Sequence, residues 1–147
     1  MYNENLLRRL NQYVIDMQAI NVKLHNFHWN IVGPFFGEVH AFTQAYYEKA
    51  DLMYDQVAER IKMLNKYPET LLTVYSQQTK IQELESKDFQ ASEIIDHIIR
   101  DFEYLLDSSR RIVSLANSIN DDSTVAMFTD YIQFFEKELW ILKSKMK

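Results

Sequence analysis

The stretch LHNFHWNIVGPFFGEVH, Leu24 to His40, carries three of the chain's four histidines, both of its glycines and one of its two prolines. So little glycine and proline elsewhere leaves few places to break a helix, and this corner is where the chain turns. Upstream of it, Leu6, Leu10, Tyr13, Met17, Ile20, Leu24, Phe27 and Ile31 recur at three- and four-residue spacing, the signature of one buried helix face. Downstream, a second stripe runs through Val39, Phe42, Tyr46, Ala50, Met53, Val57, Ile61 and Leu64. VGPFFG separates the two. His28 closes the first helix and His40 opens the second, so a short turn makes them neighbours.

Beyond the second stripe, NKYPETLLTVYSQQTKIQELESKDF reads as a long connection with a short helical piece around Thr70 to Tyr75. Ser92 is the expected N-cap of a third long helix, Glu93 to Ile119, with Ile95, Ile98, Phe102, Leu105 and Ile112 inward. NDDST then offers caps for a fourth, from Thr124 to the end. Two hairpins joined by one long crossing describe an all-α, ferritin-like four-helix bundle with the crossover between its second and third long helices.

The 147 residues are 47% hydrophobic and 25% charged, which suits one ordinary domain spanning residues 1–147. No cysteine is present, so disulfides, thiolate metal sites and cysteine nucleophiles are excluded. The N-terminus is too polar for a secretory signal, and no apolar run approaches ~18 residues, so a cytoplasmic location without membrane contact is expected. A net charge of −5 opposes nonspecific nucleic-acid binding and favours cations.

A di-iron bundle with its site inside one chain uses Glu-x-x-His pairs, and this sequence has none. It offers instead Asp55 and Glu59 in YDQVAER, four apart and therefore stacked on one helix face. Imidazole and carboxylate together suit iron, zinc or manganese. The fifteen residues from His40 to Asp55 span about 22 Å of helix, however, against a metal–ligand bond of ~2 Å. The histidines and these carboxylates meet only if two copies pack with antiparallel second helices about a two-fold axis near Tyr47 to Asp51.

HNFHWNIVGPFFGEVH followed by YDQVAERI closely resembles the Dps family, the mini-ferritins, whose usual form is near HNFHWxVxGxxFxxLH…xDxxAERI. The resemblance continues through FEKELWILK and so covers nearly the whole chain. It implies a dodecameric hollow shell, built from two-fold dimers, that oxidises ferrous iron, preferentially with hydrogen peroxide, and stores it as ferric mineral. It also implies a ferroxidase site between two-fold-related subunits, with His28 and His40 from one and Asp55 and Glu59 from the other holding up to two irons.

Two departures stand out. Four residues after the second histidine the family usually has an aspartate; here Gln44 stands there, a weaker metal ligand with one negative charge fewer. The glycine that often ends the family's second helix is also missing, and MLNKYPET takes its place. The resemblance further implies carboxylate-lined three-fold pores, for which Asp122 is the candidate, although Asp121 and Asp122 read most simply as helix caps. The family's DNA-binding reputation rests on mobile basic tails. This chain offers only Arg8 and Arg9 within a helix and KSKMK at its end, so direct DNA binding is not expected.

The other polar and aromatic residues have plainer readings. His25 is expected to be structural. His97, with Glu93 and Asp101, reads as a solvated polar face. Trp29 and Trp140 read as core or interface aromatics. The rival functions are a Dps-type shell with an impaired site, acting structurally or on the nucleoid, and a metal-free helical interaction domain.

Overall fold

The computed structural model describes residues 3–147. Five helices follow one another: α1 (Glu4–Asn30), α2 (Phe36–Met63), α3 (Leu72–Gln78), α4 (Ala91–Ser118) and α5 (Asp122–Lys145). The four long ones form the expected bundle, and α3 is the short helix of the crossover. Every residue of the first stripe, Leu6 through Ile31, is buried. From the second, Val39, Tyr46, Ala50, Met53, Val57 and Ile61 are buried, while Phe42 and Leu64 pack at the margin. Among the described residues no helix is long and apolar enough to cross a membrane.

The crossover decides the topology. At its end, the Val32 amide donates to Phe89 O at 3.0 Å and the Phe89 amide to Asn30 O at 3.0 Å, a single parallel bridge centred on Ile31 and Phe89. That bridge brings the start of α4 back beside the α1–α2 turn, so α4 runs parallel to α2. Polar side chains of α1 pin the rest of the connection. Asn11 Oδ1 accepts from the Glu69 amide at 2.8 Å, and Asn26 Nδ2 donates to Leu84 O at 3.0 Å. Asp16, only 1% exposed, accepts from the Thr79 hydroxyl and the Lys80 amide, each at 2.9 Å. The Tyr104 hydroxyl reaches its other oxygen at 2.5 Å.

Helix ends explain where the boundaries depart from expectation. α4 begins at Ala91 with Gln90 in the capping position and no side-chain cap, so Ser92 lies inside the first turn and caps nothing. The short crossover helix sits at Leu72–Gln78, later than expected. α5 starts at Asp122, because Asp121 takes the cap and accepts from the Thr124 amide at 3.1 Å. Asn65 ends α2 at φ 64°, the left-handed conformation usually given to glycine. Asparagine thus supplies what the missing glycine would have done.

Candidate metal centre

The α1–α2 turn is closed by Gly33, whose φ of 106° disfavours any side chain, and by the Phe36 amide donating to Gly33 O at 3.1 Å. This closure brings His28 and His40 face to face, ring centroids 3.7 Å apart and planes 17° from parallel. The two are bonded reciprocally. His28 Nδ1 donates to His40 O at 2.7 Å, and His40 Nδ1 donates to His28 O at 2.9 Å. A carbonyl only accepts, so both Nδ1 atoms carry the proton. In the neutral form of each ring the Nε2 lone pair is therefore the free one, the arrangement in which metal-binding histidines are commonly held.

Burial holds the His28 imidazole below its ordinary pKa, aided by the neighbouring His40 and His25 rings and opposed by the bond to the His40 carbonyl. A lowered value keeps the ring neutral and able to bind metal. Thr43, fully buried, gives its hydroxyl proton to Val39 O at 2.7 Å and turns its oxygen toward His28 Nδ1 at 3.2 Å. Tyr47 packs edge-on to His28 and stacks on His25 at 3.7 Å. His25 itself bonds through Nδ1 to Asn21 O at 2.8 Å, one turn back along α1, which suits the structural role expected of it.

Asp55 and Glu59 lie four apart on α2 and are exposed. Neither side chain has a hydrogen-bond or ion-pair partner among the described residues. Within one chain, then, the histidines come together and the carboxylates stand apart from them. Among the described residues no group of three or more potential ligands converges. Gln44 is exposed one turn beyond His40, and its Nε2 donates to Glu48 Oε1 at 3.0 Å. Asp122 is exposed in the first turn of α5. Behind it, Asp121 accepts from Arg60 Nη2 at 2.7 Å, which ties the end of α2 to the start of α5.

Trp29 and Trp140 are 69% and 68% exposed, so of the two readings, core or interface, the core of the chain is excluded. One expectation is corrected. The face bearing His97 is not simply solvated: Asp101 pairs with Lys23 at 2.8 Å, their side chains 12% and 3% exposed. Desolvation raises the Asp101 carboxyl above its ordinary value despite that partner. The His97 ring lies 5.8 Å from Phe27, and Glu93 pairs with Lys87 instead. Lys23 was legible as an inward position, three residues after Ile20 and four before Phe27, but its charge argued against the core. The reciprocal carbonyl bonds had no sequence signal, because they use backbone oxygens.

This bundle and turn define a protein of the ferritin-like class, and the ferritin-like domain family matches residues 7–147. A DNA protection during starvation protein of Helicobacter pylori strain J99 is 30% identical over 131 residues, 89% of this chain and 91% of that protein. A Dps crystal structure from Bacillus brevis superposes with a TM-score of 0.94 at 27% identity, over all of both chains. The Vibrio cholerae O1 Dps structure, described as a member of a broad superfamily of ferritin-like diiron-carboxylate proteins, has a TM-score of 0.93 and 30% identity. That likeness covers 98% of this chain and 90% of the other. The chain belongs to the Dps family.

Proposed function

We propose that the protein oxidises ferrous iron at sites shared between two copies of the chain and stores the ferric product inside a hollow shell, expected to hold twelve copies. Membership of the Dps family supports iron storage and protection as its general role. Removing iron and peroxide together in the cytoplasm protects the cell and its DNA from oxidative damage.

The observation that carries the reading is the reciprocal pair of Nδ1–carbonyl bonds, which leaves two neutral imidazole nitrogens side by side at His28 and His40. Two such nitrogens with two carboxylate oxygens make a donor set for a borderline divalent ion. Asp55 and Glu59 lie about 22 Å and about 28 Å along α2 from His40, so they serve the histidines of a partner copy. Hydrogen peroxide is the proposed oxidant. Two ferrous ions each give one electron, the O–O bond breaks, two protons are taken up, and two ferric ions and two waters result. Holding both irons together delivers the electron pair without releasing hydroxyl radical. Asp122, exposed at the start of α5, is the candidate for admitting iron to the shell.

Gln44 favours a second reading, a shell with an impaired site that acts structurally or on the nucleoid. Its amide is a poor ligand and already donates to Glu48. Anaerobic Fe(II) binding followed by stoichiometric peroxide, on wild type and His28→Ala, separates the two. Fast oxidation that the substitution abolishes supports the ferroxidase, while slow oxidation alike in both supports the impaired shell. A monomeric mass in solution would contradict the shared site outright.

A further inference from the structure

A cleft of about 910 Å³ opens between the first half of α1, the second half of α4 and the crossover at Lys80. Its charged lining consists of Arg8, Arg9, Lys80 and Arg111 against the single carboxylate Asp107. That carboxylate is taken, since Arg111 Nε donates to Asp107 Oδ2 at 2.8 Å. Arg8 reaches only the neutral Asn5 Oδ1 at 3.3 Å. Among the described residues no acid pairs with Arg8, Arg9 or Lys80. Three uncompensated cations thus converge on one recess of a chain whose net charge is −5.

The recess is also built. Lys80 is placed by its own amide, which Asp16 accepts at 2.9 Å. Asp16 is no competitor for an incoming anion. It is 1% exposed, and Gln12, Thr79, the Lys80 amide and the Tyr104 hydroxyl all donate to it. Two serine hydroxyls, Ser108 and Ser114, also line the cleft.

We propose that this cleft binds a small phosphate-bearing anion of mononucleotide size. Guanidinium forks match phosphate oxygens in pairs, and a lysine adds a point charge beside them. The volume falls in the range of small-molecule sites. A long duplex is disfavoured, because the cations sit in a recess of an acidic surface and not on a projecting tail. This site is independent of the metal chemistry proposed above.

The test is calorimetric titration of the assembled, metal-free protein with ADP and with inorganic phosphate at low ionic strength. A short DNA duplex is titrated in parallel. The comparison proteins are Arg8→Gln/Arg9→Gln, Lys80→Ala, and the control Arg110→Gln, whose arginine is engaged by Glu136 at 3.0 Å on an exposed face. Saturable ADP binding is expected, weakened at least about tenfold by each cleft variant and untouched in the control. Unliganded melting temperatures matching wild type would separate a lost site from a lost fold, because the substituted side chains are exposed. Absence of saturable ADP binding in wild type overturns the proposal. So does equal affinity in the cleft variants, or a duplex that binds through Arg8 and Arg9 while ADP does not.

Discussion

The α1–α2 turn and the second half of α2 hold opposite kinds of proposed ligand. His28 and His40 are stacked, bonded to each other's backbone and locked in one tautomer before any metal arrives. Asp55 and Glu59 are exposed, and among the described residues their side chains have no hydrogen-bond or ion-pair partner. One half is pre-organised by the fold of a single chain; the other is left open. Histidines need such fixing because only one nitrogen of each ring is free to bind metal, whereas carboxylates offer several lone pairs and tolerate late assembly.

Substitution separates the two halves most sharply. His28→Ala and Glu59→Gln are each expected to lower the rate of ferrous oxidation by about a hundredfold, since each removes a ligand outright. Their effects on the fold differ. His28→Ala removes the shorter side-chain bond to the His40 carbonyl, which the Thr43 hydroxyl still reaches at 3.2 Å, and opens a space beside Thr43, costing about 1–3 kcal/mol. Glu59→Gln stays within about 0.5 kcal/mol, as an exposed position should. Chemical denaturation of both variants beside oxidation kinetics checks the contrast, and equal destabilisation would break it.

Acid sharpens the same difference. His28 has its folded value lowered by burial, so between that value and the ordinary one the unfolded chain binds a proton that the native chain does not. Stability contributed by the neutral ring is present above about pH 6.5 and falls as the pH drops below it. Oxidation should hold through that window and fall only as the pH drops through the lower folded value, since a protonated Nε2 binds no metal. Melting curves of wild type and His28→Gln between pH 5 and 7.5 are expected to converge toward the acid end.

The smallest expected effect lies between the two regions. Gln44→Asp restores a carboxylate one turn after His40 and replaces a hydrogen bond to Glu48 with like-charge repulsion. A second ferrous ion per site is expected to bind several-fold more tightly, at a cost of a few tenths of a kcal/mol in helix stability. Ferrous binding isotherms of the two proteins measure it directly.

Most of the bundle was legible in the sequence because its two stripes are strictly periodic and its turn chemistry is concentrated at one corner. Helix starts were read less well. Ser92 looked like a cap by residue type, but the Phe89 bridge to the α1–α2 turn fixes where α4 can begin. The two tryptophans read as core or interface, and it took the structure to place them at the surface of the chain. Buried charge was invisible for a different reason. Asp16 and Lys23 occupy inward positions of α1, yet what makes them tolerable is the crossover and α4, far away in sequence. Half of the candidate site, the histidine pair, followed from the turn; the other half followed only from distance.

Mixed shells test that last step most directly. One chain carries His28→Ala and His40→Ala; the other carries Asp55→Asn and Glu59→Gln; each shell alone is expected to be inactive. If the site is shared, pairing the chains joins intact histidines of one to intact carboxylates of the other, and random pairing restores about a quarter of wild-type peroxide-dependent oxidation. Mixed shells as inactive as either parent would contradict a site built between two copies.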